Sequence, residues 1–127
     1  MKPDSAFYTD PRKDVFVYLS GPITAKDGFT VADNVESAVR VFLNCTRRGI
    51  PSFCPQLGAL VPEAFEIDYE QWMAYDFAVI DRCTHVLMLP RWESSSGAVR
   101  ERDYAQIAGL PVCYTLEELI STLEKAA

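Results

Sequence analysis

The chain has 127 residues, enough for one compact domain that buries its core without disulfide or metal staples, and too few for two. Hydrophobic residues make up 49% and charged residues 24%, a balance that excludes a disordered chain. Lys and Arg number 12 against 18 Asp and Glu, a formal charge of −6; such a surface repels a polyphosphate backbone, so no nucleic-acid polymer is expected as a partner.

No apolar run approaches the roughly 18 residues of a membrane helix, so no membrane is expected either. Residues 1–13 carry charges and prolines but no apolar signal core. They are read as an N-terminal extension to a domain over 14–127, with a cytoplasmic location. Cys45, Cys54, Cys83 and Cys113 form no C-x-x-C pair and read as small core hydrophobes. The one histidine, His85, excludes paired-histidine zinc motifs. At the head of an apolar strand it reads as structural.

Strand and helix signals alternate along the chain. Residues 15–20 (VFVYLS) form a nearly continuous apolar run, as in a strand covered on both faces, and Gly21-Pro22 ends it. A helix is expected over 31–48. Thr30 and Asp33 make a capping box, and Val31, Val35, Ala38, Phe42 and Cys45 fall on one stripe. A short strand follows over 50–54, then a proline-punctuated loop. Next come a helix over 69–82, a strand over 85–89, a loop over 90–96, a helix over 97–108 and a strand over 111–114. Thr115 and Glu118 open a terminal helix with Leu116, Leu119, Ile120 and Leu123 inward. The pattern predicts an α/β fold: a single-domain flavodoxin- or Rossmann-like three-layer sandwich with a parallel sheet of four to five strands. Ligands of such sheets sit beyond the carboxyl ends of the strands, where strand order reverses, which points to the loops after Ser20 and Leu89.

Two acids break the amphipathic pattern. The inward stripe of the 69–82 helix is Tyr69, Met73, Asp76, Ile80 and Cys83, with Trp72 alongside; that of the 97–108 helix is Ala98, Glu101, Ala105 and Ala108. An inward carboxylate is costly to desolvate, so each acid either pairs with an arginine (Arg82, Arg91, Arg100 or Arg102) or serves chemistry. Two acids converging on one cleft suit glycosidic bond cleavage, where one attacks the anomeric carbon and the other moves protons at the leaving group. Ser95, Ser96 and Gly97, at the start of the helix carrying Glu101, offer hydroxyls and free N–H groups to an anion, and equally make a plain serine cap. Ser20, Gly21, Pro22, Ile23 and Thr24 close the other side of the crevice. Tyr18 either fills the core or presents its hydroxyl there.

In order and spacing, Y-L-S-G-P-I, a helix with an inward Asp, and L-P-x-W-x-x-S-x-G-A-x-x-E resemble the nucleoside 2-deoxyribosyltransferase-like superfamily, which includes 2'-deoxynucleoside 5'-phosphate N-hydrolases. The resemblance runs from about residue 15 to 112. It implies that Glu101 forms a glycosyl-enzyme ester, that Asp76 assists proton transfer at the nucleobase, that Tyr18 orients Glu101, and that Ser95 and Gly97 contact a 5'-phosphate. Ser95 stands where the transferases carry a sugar-binding aspartate, which favours a monophosphate. Pro22 and Thr24 stand where the phosphate hydrolases have a serine and an arginine, which weakens the cradle.

The expected function is therefore cleavage of the N-glycosidic bond of a (deoxy)nucleoside 5'-monophosphate with release of the base. The alternatives are base exchange by a deoxyribosyltransferase, a nucleotide-binding module without catalysis, and an acidic scaffold without a ligand. No metal or redox cofactor is implied. The expected partner is a small nucleoside or nucleotide. A homodimer or higher homo-oligomer is implied by resemblance, with Phe53, Phe65, Trp72 and Tyr75 as apolar residues surplus to a small core.

Overall fold

The structure is a computed structural model, and it describes residues 9–126. Residues 1–8 of the expected extension lie outside the described residues. From Thr9 onward the segment packs on the turn that follows the first helix, where Arg12 N–H donates to the Gly49 carbonyl at 2.8 Å. Gly49 has φ +68°, and a Cβ there would stand 2.5 Å from the Asp10 carbonyl oxygen, so both conformation and space require glycine.

Four strands and four helices alternate as expected: β1 (Val17–Ser20), α1 (Val31–Arg47), β2 (Ser52–Phe53), α2 (Tyr69–Ile80), β3 (His85–Met88), α3 (Ser96–Ile107), β4 (Val112–Cys113) and α4 (Leu116–Ala126). The strands are shorter than their apolar runs. β2 and β4 are edge strands with two paired residues each; Ile50 and Cys54 beside β2 are buried without joining a ladder, while Pro111 and Tyr114 beside β4 are exposed. Residues 55–66, expected as a loop, wind into two 3-10 turns, Pro55–Leu60 and Pro62–Glu66, each opened by a proline whose fixed φ suits a first helical position. The Thr30–Asp33 capping box on α1 is complete. On α4, Thr115 accepts from Glu118 N–H, but the Glu118 carboxylate reaches back to Tyr114 N–H rather than to the cap residue.

The sheet is parallel throughout, in the order β2-β1-β3-β4. The chain moves from β1 to one edge and from β3 to the other, so order reverses between β1 and β3, and Ser20 pairs with Met88 at the carboxyl end of that seam. Side chains on β1 alternate between two helix layers. Val17 and Leu19 join Ala38 and Cys45 of α1 and Leu119 and Leu123 of α4. Tyr18 joins Ile80 of α2 and Ala98 and Ala105 of α3. All four cysteines are free and buried in these cores.

Three expectations of packing need correction. Tyr69, the first residue of α2, is 47% exposed. Ala108 caps α3 and faces outward. Of the four surplus aromatics, Phe53 packs on Tyr18 with ring centroids 5.8 Å apart, and the half-buried Trp72 donates its indole N–H to the Ala64 carbonyl. Phe65 and Tyr75 are exposed. No helix among the described residues is long and apolar enough to cross a membrane.

Candidate active site

Strand periodicity builds the centre of the site. Tyr18 and Ser20, two residues apart on β1, point to the same face, and both reach the Glu101 carboxyl coming down from α3. Tyr18 donates its hydroxyl to Oε2 at 2.9 Å and Ser20 donates to Oε1 at 2.7 Å. Ala98 and Ala105, one turn before and after Glu101, are fully buried and bring α3 close to the sheet. From α2, Asp76 faces the same cluster, against both Glu101 and Tyr18. Glu101 is 6% exposed and Asp76 8%. Both inward acids thus stand where helical spacing placed them, at the seam where strand order reverses.

No arginine accounts for them. Arg82 donates to the Ala78 carbonyl, Arg91 to Asn34, Arg100 to both Glu70 oxygens and Arg102 to Asp103. Among the described residues no cation pairs with either acid. Burial above all, and then the facing Asp76 carboxyl, hold Glu101 well above the usual carboxylate range, against the pull of the Ser20 and Tyr18 hydroxyls. Burial also raises Asp76, with its contacts to Glu101 and Tyr18 pulling back. The Tyr18 phenol is pushed up by burial and then by the two acids. The pair therefore keeps a proton into a range where ordinary carboxylates have lost theirs. Such a pair can give and take protons above the range of ordinary carboxylates.

The loops take distinct places around this centre. Ser95 caps α3, accepting from Ala98 N–H at 3.2 Å. Ser96 is exposed in the first turn, and Gly97 lies under α2, where an added Cβ would sit 3.5 Å from the Tyr69 hydroxyl and 3.6 Å from the Met73 sulfur. Gly21 is buried against Leu89, whose Cβ an added methyl would meet at 2.7 Å, so its lack of a side chain serves strand-end packing. Pro22 and Ile23 are half-buried and Thr24 is exposed. Lys26 crosses from the loop after β1 to donate to the Ser94 carbonyl at 2.9 Å, bringing an ammonium to the segment before Ser95.

Two buried amides that periodicity did not single out hold these loops. Asn34 on α1 donates to the Ile23 and Thr24 carbonyls and accepts from Arg91, whose guanidinium lies 3.6 Å over the Phe29 ring. Gln56, with no exposed surface, donates to the Gly21 carbonyl. A cavity of about 360 Å³ lies on the other side of β3, among Leu87, Leu89, Arg91, Trp92, Tyr114 and Leu116, and neither acid lines it. No group of three or more His, Cys, Asp or Glu side chains comes together among the described residues in a way that could hold a metal.

Residues 15–114 match the family described as Domain of unknown function (DUF4406). The chain belongs to that family. No curated protein matches it. The DUF4406 segment takes in β1 through β4, and with them Tyr18, Ser20, Asp76 and Glu101; α4 lies beyond it.

Proposed function

We propose that this DUF4406 protein cleaves the N-glycosidic bond of a nucleoside or nucleoside 5'-monophosphate by a retaining mechanism. The observation that carries the reading is the cation-free meeting of two buried carboxyls, from separate helices, at the strand-order reversal. The residues also follow the pattern in which the sequence resembles nucleoside 2-deoxyribosyltransferase-like enzymes.

The two acids differ in their partners, and the difference assigns their roles. Glu101 takes two hydroxyl donors, and Tyr18, with one proton to give, gives it to Glu101. The reactive form is the one in which Glu101, steadied by the two hydroxyls, is the carboxylate and Asp76 carries the shared proton, although Glu101 is raised the further of the two. In the first step a Glu101 carboxylate oxygen bonds to C1' while the C1'–N bond breaks. Its electron pair goes to the base, and Asp76 delivers the proton that neutralises the leaving base. In the second step the Asp76 carboxylate takes a proton from water, the water oxygen bonds to C1', and Glu101 leaves as the carboxylate. Retaining glycosidases hold their two carboxyls roughly 5 Å apart, and the sugar is proposed to enter between Asp76 and Glu101, which face each other.

The start of α3 (Ser95, Ser96, Gly97), with Lys26 beside it, is the proposed seat of a 5'-phosphate, since N–H groups at a helix start and an ammonium both favour an anion. Lys26 supplies a charge that Thr24 does not.

The test is incubation with a panel of nucleosides and 5'-monophosphates, followed by chromatography for free base. Glu101→Ala is expected to lose about 10³-fold or more in turnover, and Asp76→Asn about 10²- to 10⁴-fold. Unchanged turnover in purified Glu101→Ala would overturn the proposal. Tight nucleotide binding with no base released over hours would favour a binding module in its place.

A further inference from the structure

Ser20 has no exposed surface, and its hydroxyl is committed to Glu101 Oε1. That makes it a poor candidate for a substrate contact, although it opens the loop that closes the crevice. Its bond is the shorter of the two that Glu101 receives, 2.7 Å against 2.9 Å from Tyr18. A glutamate carboxylate turns readily about its last torsion, which is broad rather than staggered. One donor on Oε2 fixes that oxygen and leaves the carboxylate plane free to swing about it. A second donor on Oε1 removes the swing.

Both donors come from one face of a buried strand, so they are spaced by the strand itself. Ser20 stands two residues nearer the carboxyl edge of the sheet than Tyr18, the edge at which ligands of this architecture bind. Oε1 is therefore the oxygen held toward that edge.

We propose that Ser20 is a positioning residue, which sets the plane of the Glu101 carboxylate and presents Oε1 to the anomeric carbon. The assignment rests on the glycosidic-cleavage reading above. It adds to it a reason why β1 ends in a hydroxyl at a place where an aliphatic side chain would pack as well. It also gives the two hydroxyls separate work: Tyr18 faces both acids, and Ser20 touches Glu101 alone.

The experiment compares wild type, Ser20→Ala and Ser20→Thr in base release across pH. In parallel, ¹³C NMR follows the Glu101 carboxyl in protein labelled at the glutamate carboxyl carbon, with the resonance assigned by its loss in Glu101→Gln. In Ser20→Ala, kcat is expected to fall about ten- to hundredfold, the worth of one hydrogen bond to a charged group. KM should change by less than about twofold, because no substrate contact is removed. The alkaline-going rise in activity and the Glu101 titration should both move to higher pH, since the hydroxyl that favoured the ionised form is gone. Ser20→Thr keeps a hydroxyl and should restore most of both. A raised KM with an unmoved pH profile would make Ser20 a substrate contact and overturn the assignment. Unchanged kcat and titration would reduce Ser20 to space-filling and overturn it equally. Should Ser20→Ala fail to fold, Ser20→Cys, of similar shape and a weaker donor, takes its place under the same criteria. Wild-type protein that releases no base from any compound overturns the proposed function. The titration needs no substrate, and if it is unmoved in Ser20→Ala the Ser20 assignment fails whether or not base is released.

Discussion

The two faces of the sheet are built from the same four strands and do opposite things with polarity. On the α1/α4 side, Val17, Leu19, Leu87 and Cys113 meet Ala38, Cys45, Leu119 and Leu123 in an apolar layer. The one buried polar side chain of α1, Asn34, has an amide whose oxygen and nitrogen are both hydrogen-bonded. On the α2/α3 side an equally buried layer takes in a tyrosine, a serine and two carboxyls without a cation. Burial alone does not mark a functional site; burial of charge that its surroundings leave uncompensated does. The first face sustains the fold, and the second is expected to give up stability where the proposed chemistry needs a proton held out of water.

The largest effect should come from breaking the apolar face. Leu119 has no exposed surface and sits at the centre of that layer. Leu119→Ala is expected to cost about 2–5 kcal/mol in urea denaturation, through lost transfer energy and the cavity left behind. Base release by the fraction still folded should match wild type, because no atom of the acid cluster is touched. A loss of activity per folded molecule would show that the faces are not independent.

A smaller effect is expected from Asn34, the buried polar residue of α1 on the same side. Asn34→Ala frees the Ile23 and Thr24 carbonyls and strips Arg91 of its acceptor, so about 1–3 kcal/mol should be lost. Unlike Leu119→Ala, it should also speed hydrogen exchange in the loops after β1 and β3, which it ties together. Stability loss without faster exchange there would mean that the loops are held by other contacts.

Both faces were legible in the sequence to the extent that periodicity reached them. Apolar runs alternating with helical stripes were enough for the sheet, its layers and the place where the two inward acids gather. Asp76 and Glu101 stood out because each is an acid on an apolar stripe. Asn34 also falls on the α1 stripe, three residues after Val31 and beside Val35, but a neutral amide there stands out less from an apolar face than a charge does. Ser20 could be grouped with the loop that follows it or with Tyr18, two residues back on the same strand face, and the structure decides for Tyr18. Gln56 lies in a proline-rich stretch without a helical or strand period, so no pattern exposed its burial. Tyr69 shows the limit of extending a stripe to a helix end, where the first residue of α2 lies exposed.

The smallest shift in stability is expected from the acids themselves, and its sign separates the two faces most sharply. The carboxyls of Glu101 and Asp76 ionise at higher pH in the folded chain than in the unfolded one, chiefly because they are buried. In acid, below the ordinary carboxylate range, both forms of the chain hold these protons and the pair costs nothing. As pH rises through that range the unfolded chain releases its protons first. It then binds fewer than the folded chain, and stability falls until the folded pair has ionised as well. Glu101→Gln removes one of the two charges while keeping an oxygen for a hydroxyl to bond. It should leave stability unchanged in acid below the ordinary carboxylate range, at about pH 2–3, and raise it by about 0.5–2 kcal/mol near pH 8, the gain common when a site is relieved of a functional strain. The carboxylates outside this pair titrate alike in both proteins and cancel in the difference. Thermal melts of wild type and variant across that interval measure it directly. A variant less stable than wild type at pH 8 would mean that the two hydroxyls compensate Glu101 in full, and the contrast between the faces would then be one of chemistry without a cost in stability.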